Sequence, residues 1–277
     1  MGAQALQHRG GVGANASPQC KGFGRLLDQH AQAIAARIAL MTVIDPQSTT
    51  FQRSEMRRLV QAQGLFTWSQ QWRDGRDISD NARRAVIASE DAGFADHAGV
   101  EWDALQQAYE RNQRAEQRVQ ALQKVAQERY QRAVERAKKR GRPLPEPPSA
   151  LNTVPKVVGG STITQQLAKN LFLSKERNFV RKGQEFVITF MLEGLLSKDR
   201  ILDIYLNNVE WGEGVFGIEA ASQHYFRTDA DRLSPYQAAR LAVMLPAPKK
   251  FEKSPGSGYV MGRAATIAAR MRAAELP

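Results

Sequence analysis

Apolar residues along this chain recur at three- and four-residue steps, and nowhere do they sustain the every-second-residue alternation of a half-buried strand. The pattern predicts an all-α, mainly helical architecture. Phe51, Met56, Leu59 and Val60 are spaced for one helical face. Ser79 precedes an acidic turn and the run Ala82-Arg83-Arg84-Ala85-Val86-Ile87-Ala88, the signature of an N-capped helix. Its far end delivers adjacent carboxylates, Glu90 and Asp91, where negative charge opposes the helix dipole. From Trp102 to about Lys139 one long helix is expected, with Val119, Leu122, Ala126, Tyr130, Ala133 and Ala137 as its stripe. Gly141-Arg142-Pro143-Leu144-Pro145-Glu146-Pro147-Pro148 closes it as an extended linker.

Residues 159–173 combine a glycine pair, a capping box formed by Thr162 and Gln165, and a helix whose Ile163, Leu167 and Leu171 should face a core. Thr162, Gln166, Lys169 and Asn170 fall on another face. A hydroxyl, two amides and an ammonium suit the wall of an anionic, sugar-like substrate site; they equally suit the solvated side of an ordinary amphipathic helix. After a polar turn comes Arg181-Lys182-Gly183-Gln184-Glu185, then an apolar helix through Phe186, Phe190, Met191, Leu192, Leu195 and Leu196. Glu185 stands one turn beyond Arg181 and Lys182, so a carboxylate and two cations share a small area, with a plain intrahelical ion pair as the modest alternative. Ser197 restarts a helix carrying Ile201, Leu202, Tyr205, Leu206 and Val209, with Asn207 and Asn208 near its end. Gly212, Gly214 and Gly217 then punctuate a loop whose spacing does not fit a dinucleotide fingerprint. Ser234-Pro235 opens one more helix, which stops at Pro246-Ala247-Pro248.

With 277 residues the chain can bury a proper core, as one large domain or one domain with a smaller lobe. Its 42% hydrophobic and 24% charged residues are globular values, and the lone Cys20 excludes an internal disulfide. A net charge of +11 and a pI near 10.0 point to a polyanionic partner: nucleic acid, an anionic membrane surface or a phosphate-bearing substrate. Residues 110–142 hold eleven Lys or Arg against four Glu, a net of +7, so most of the excess lies in one segment. That segment reads as a solvated face or as a contact with anionic lipid headgroups, worth about 1 kcal/mol per basic residue. No apolar run approaches the ~20 residues of a spanning helix; the best, residues 33–44, is interrupted by Arg37 and ends at Asp45-Pro46. The first residues lack the apolar middle of a signal peptide, and Leu6 breaks the acylation pattern after Met1-Gly2. Residues 1–43 are therefore expected to be a poorly ordered or atypical segment without a spanning helix. A domain over 44–277 comes next, with a basic, Pro-rich small-lobe segment at about 102–158.

Taken in order, these segments resemble the peptidoglycan glycosyltransferases of family 51. The first motif of that family is matched by Glu90-Asp91-Ala92-Gly93-Phe94-Ala95-Asp96-His97-Ala98-Gly99, the second by residues 159–173 and the third by residues 181–185. Residues 197–207, 212–226 and 241–248 are family-like too, so the resemblance covers roughly residues 44–252. It implies a lysozyme-like large lobe with a smaller, mobile, membrane-proximal lobe. It also implies polymerisation of lipid II into β-1,4 glycan strands at the periplasmic face of the bacterial inner membrane, with inversion at the donor anomeric carbon and release of lipid pyrophosphate. No transpeptidase is expected, since about 25 residues remain after Glu252.

By the same resemblance Glu90 is the base that takes the acceptor's proton. Glu185 is a second carboxylate assisting pyrophosphate departure, directly or through a divalent cation (Mg or Mn). Lys169, Arg181 and Lys182 would stabilise the pyrophosphate, Thr162, Gln165 and Gln166 would orient sugar and phosphate oxygens, and Asp91, Phe94 and His97 would hold Glu90 in place. The implied partners are lipid II, the nascent glycan strand, an anionic membrane surface and cell-wall synthesis and division proteins, with no nucleic acid. Two departures stand out: the family's N-terminal spanning helix is not evident, and residues 110–148 are long and basic for a link between the first two motifs. A lysozyme-like muramidase or lytic enzyme is the nearest rival, because paired carboxylates also serve hydrolysis. The three cations argue against it, as a neutral glycosidic substrate gives them little to bind. A basic helical nucleic-acid binder rests on pI and the Arg-rich helix alone.

Overall fold

Thr49, Ser79, Thr162, Ser197, Ser234 and Ser257 each begin a helix, their side chains accepting from its first turn, and the core is set by which sides the helices turn inward. The computed structural model describes residues 18–64, 68–155, 159–173 and 179–277, with side chains from residue 28 onward except those of 63 and 179. Helix α1 (Pro18–Leu40) occupies a stretch expected to be poorly ordered; Ile34, Ile38 and Met41, at four- and three-residue steps, turn into the core, and the helix packs on a later one. Residues 1–17, including Leu6, lie outside the described residues. Among the described residues no helix is long and apolar enough to cross a membrane.

Helix α2 (Thr50–Gln63) opens on a reciprocal capping box between Thr49 and Gln52. Its inner side corrects the sequence reading: Gln52, Glu55 and Leu59 are buried, whereas Met56 and Val60 are exposed. Distant partners explain this. Gln52 Nε2 donates to the Asn208 carbonyl at 3.2 Å, and Glu55 pairs with Arg58 at 2.8 Å and with Lys249. Strand β1 (Ser69–Gln70) follows, and then α3 (Asp80–Glu90), capped by Ser79 as expected.

Helix α4 (Trp102–Lys139) is 38 residues long, yet only Ala108 on it is buried. The expected stripe is half-buried along most of its length, but Leu122 is 61% exposed. Gln123 takes the inward place, donating to the carbonyls of Leu151 at 3.2 Å and Thr153 at 2.9 Å. The Pro-rich chain thus returns alongside α4, and its short turn Ser149–Asn152 packs on it. At the root of α4 the return closes tightly, since a Cβ on Gly160 would meet Ala108 Cβ at 3.1 Å and the Ala104 carbonyl at 3.3 Å.

The remaining elements are α5 (Ile163–Phe172), α6 (Phe179–Leu195), α7 (Lys198–Asn208), β2 (Glu210–Gly212), β3 (Val215–Phe216), α8 (Ile218–Phe226), α9 (Pro235–Met244), α10 (Pro248–Phe251) and α11 (Gly258–Arg270). The glycine-punctuated segment expected as a loop contains the hairpin β2–β3, and β3 also pairs in parallel with β1 through Ser69–Val215 and Gln70–Phe216. Strands of two or three residues are too short to show alternation. Asn207, at the end of α7, pins the chain after β1 by accepting from the Arg73 amide at 2.8 Å and donating to the Arg73 carbonyl at 2.8 Å. Ile163, Leu167 and Leu171 face the core as predicted, with Phe94, Tyr205 and Trp211 among its largest buried side chains. The whole is mainly α.

Gly217 enters α8 at φ 81° and ψ 153°, a region essentially closed to other residues, and a Cβ there would lie 2.7 Å from the Asn207 carbonyl. Gly217→Ala should destabilise the fold by about 1–3 kcal/mol or more, measured as a lowered Tm; an unchanged melting curve would contradict this account of the turn.

Candidate active site

Glu90 is the last residue of α3, placed there by a helix that Ser79 starts one residue before Asp80. Its two oxygens receive different donors. Ser89 Oγ lies 3.3 Å from Oε1, and Gln166 Nε2 donates to Oε2 at 3.0 Å. Burial is the first cause that holds the Glu90 carboxyl above its ordinary pKa; the Gln166 and Ser89 hydrogen bonds oppose it, neighbouring Asp91 adds to it and the charge of Lys169 opposes it. A carboxylate so placed is a stronger base than one in water, and it keeps an orientation.

Asp91 caps the C-terminus of α3 through its N–H on the Ile87 carbonyl, and it is 4% exposed. Its Oδ2 accepts the N–H of Ile163, the first residue of α5, at 2.9 Å, while Oδ1 meets His97 Nε2 at 2.8 Å. The Gly99 N–H donates to His97 Nδ1 at 3.1 Å, which leaves Nε2 to donate to Asp91. That bond raises the affinity of His97 for a proton.

Helix α5 is docked by the same loop. Thr162 Oγ1 donates to the Gly99 carbonyl at 2.6 Å and accepts from the Gln165 amide, while Gln165 Oε1 accepts from the Thr162 amide. Both side chains are buried. Thr162 and Gln165, expected to orient sugar and phosphate oxygens, thus build the first turn of α5, and Thr162 binds the loop beneath it. Phe94, expected to help hold Glu90 in place, is a core residue. It is fully buried, with Lys198 Nζ 4.5 Å over its ring and His97 edge-on at 6.4 Å. Gln166 and Lys169, by contrast, come to the accessible side of α5.

A second cluster stands on α6, which packs against α5. Glu185 is 4% exposed; Oε1 pairs with Lys182 and Oε2 with Arg181 at 3.7 Å. Thr164 on α5 donates to Glu193 on α6 at 2.6 Å, and Lys198 meets the same oxygen at 2.9 Å, so the two helices are tied by polar groups as well as by packing. Among the described residues no group of three or more His, Cys, Asp or Glu side chains gathers to hold a metal. Both oxygens of Glu185 already face cations, so the donor set does not fit a divalent ion held by protein groups alone.

The structure thus joins Glu90, Asp91, His97, Thr162, Gln165 and Gln166 in one hydrogen-bonded cluster. The Lys169 charge acts on Glu90, and Arg181, Lys182 and Glu185 form a separate cluster on the adjacent helix. Ser89 and Tyr205 escaped the sequence reading. Tyr205 OH donates to Gln166 Oε1 at 2.9 Å, but in an apolar stripe its ring reads only as core.

A mainly helical domain with one partly buried carboxylate that accepts two hydrogen bonds and another flanked by two cations has side chains of the kind that enzymes use at the anomeric carbon of sugars. Comparison with known proteins narrows the class: the chain belongs to the Transglycosylase family, whose profile matches residues 57–122 and 149–272. A relative from Burkholderia thailandensis, called biosynthetic peptidoglycan transglycosylase, is 49% identical over 242 residues, 87% of this chain and 80% of its own length. Proteins of the same description from Cupriavidus metallidurans (49% over 249 residues, 87% and 89%) and Paraburkholderia phytofirmans (46% over 241 residues, 87% and 85%) are similarly close. Their biosynthetic description sets aside the lytic reading. The profile skips residues 123–148, the outer part of α4 and its Pro-rich return.

Because burial raises the folded-state pKa of Glu90 above its unfolded value, its ionised form weighs against folding at neutral pH, and that cost vanishes as pH falls below the unfolded carboxylate value. Glu90→Gln should therefore melt no lower than the parent at neutral pH, and any advantage should shrink toward about pH 4. A variant that melts markedly lower at neutral pH would refute this balance.

Proposed function

We propose that this enzyme polymerises lipid II into glycan strands, with Glu90 as general base and no hydrolysis. The observation that carries the reading is that Glu90, at the end of α3, meets the Gln166 donor and the Lys169 charge from α5. An alcohol is a poor nucleophile at neutral pH, so the acceptor's 4-hydroxyl must lose its proton as it attacks. Glu90 takes that proton while the new oxygen–carbon bond forms at the donor anomeric carbon and the bond to the lipid pyrophosphate breaks. One displacement inverts the centre. Charge develops on the departing pyrophosphate, and Lys169, Arg181 and Lys182 offer cations for it. Glu185 keeps the heads of Arg181 and Lys182 together on α6.

The substrate's lipid requires a bilayer, by this reading the inner membrane at its periplasmic side, and exposed apolar side chains support such a contact. On α6, Val180, Val187, Phe190 (48% exposed) and Leu195 stand outward, and Trp102 stacks on Phe186 with centroids 6.2 Å apart. The basic residues of α4 would meet anionic headgroups beside that apolar patch.

Glu90→Gln should lower glycan synthesis from labelled lipid II by about 10²–10⁴-fold, and Glu185→Gln should be severely impaired as well; gel-resolved strands at the wild-type rate in the Glu90 variant would overturn the assignment. Replacing Arg129, Lys138 and Lys139 together by Gln should weaken binding to anionic vesicles by about 1 kcal/mol per charge removed and leave neutral vesicles unaffected. Equal sedimentation with anionic vesicles at low salt would exclude the membrane contact.

A further inference from the structure

We infer that Tyr205 is a positioning residue for the reaction, its buried hydroxyl fixing which end of the Gln166 carboxamide faces Glu90. The inference rests on the reading of Glu90 as the base. A carboxamide has a donor end and an acceptor end of nearly equal shape, so packing alone does not choose between them. Turned the wrong way, Gln166 would aim its oxygen at a carboxylate. Tyr205, on α7, settles the choice from behind: its hydroxyl donates to Gln166 Oε1 at 2.9 Å, and the opposite end of the amide then donates to Glu90 Oε2 at 3.0 Å. The Ser161 carbonyl lies 3.5 Å from the same amide nitrogen and favours the same orientation.

The phenol is suited to this. Tyr205 is 0% exposed, so water does not stand in for its hydroxyl, and a phenylalanine would fill the same volume. Burial, with the charges of Glu90 and Asp91 behind it, keeps the hydroxyl protonated, and its acceptor among the described residues is Gln166 Oε1, so it donates there. The other groups that act on Glu90 are Ser89 and Asp91 beside it and Lys169 from α5, with His97 bound to Asp91. Without the Tyr205 hydroxyl the amide is held only by Glu90 itself and the longer Ser161 contact, and Glu90 has a less steady donor for its ionised form.

The experiment compares wild type, Tyr205→Phe, Gln166→Ala and the double variant in lipid II polymerisation across pH, alongside carboxyl NMR titration of Glu90 without substrate. Tyr205→Phe should lower kcat about three- to tenfold with KM little changed, and both the acidic limb of kcat and the Glu90 titration should move to higher pH. In the Gln166→Ala background the same substitution should add nothing, because the contact it removes acts only through that amide. A folded Tyr205→Phe with an unmoved limb and titration, or effects that multiply in the double variant, would overturn the proposal. Should Tyr205→Phe not fold, the wild-type spectrum decides: a slowly exchanging Tyr205 hydroxyl proton supports the bond and a rapidly exchanging one refutes it. If Glu90→Gln proves active, the base assignment fails, while the Glu90 titration still reports whether Tyr205 sets the amide.

Discussion

A carboxylate at the wrong end of its own helix holds this site together. Asp91 terminates α3, where negative charge is unfavourable, but the first N–H of α5 lies directly beyond it and needs an acceptor. One oxygen serves α5 and the other holds His97, so a single buried group fixes two helix ends and the loop between them. Charge-assisted bonds of this kind contribute about 1.5–3 kcal/mol each. Helical geometry does the rest: once Ile163 is fixed, Gln166 and Lys169 fall on successive turns of α5, one reaching Glu90 by hydrogen bond and the other by charge.

Glu90 balances opposed influences. Burial favours its neutral form and prevails, while the Gln166 and Ser89 donors oppose it in favour of the anion. The arrangement weighs against folding at neutral pH and favours chemistry, a familiar conflict at reactive sites. The carboxylate of Glu185 is treated in the opposite way, buried but matched by two cations one turn away.

Much of this was legible in the chain because the signals are local. The Thr162–Gln165 capping box, the Ser79, Ser197 and Ser234 caps and the Ile163–Leu167–Leu171 stripe each depend on residues within a turn or two of one another. What failed depends on distant partners. Gln52 and Glu55 are inside because Asn208 and Lys249 meet them there, a fact no window around α2 contains. A polar face near a glycine pair has the same composition whether it turns to solvent or to a neighbouring loop, so the bond from Thr162 to the Gly99 carbonyl could not be read from the sequence. Tyr205 was hidden for a related reason: its ring satisfies the apolar pattern, and only the third dimension shows what the hydroxyl touches.

The close seat of Gly160 under the first turns of α4 has a mechanical consequence. A 38-residue helix is about 57 Å long. Held near its root, it works as a lever: each degree of tilt at the glycine swings the opposite tip by roughly 1 Å. A methyl-sized wedge at that fulcrum would therefore displace the far end of α4 much more than the turns it touches.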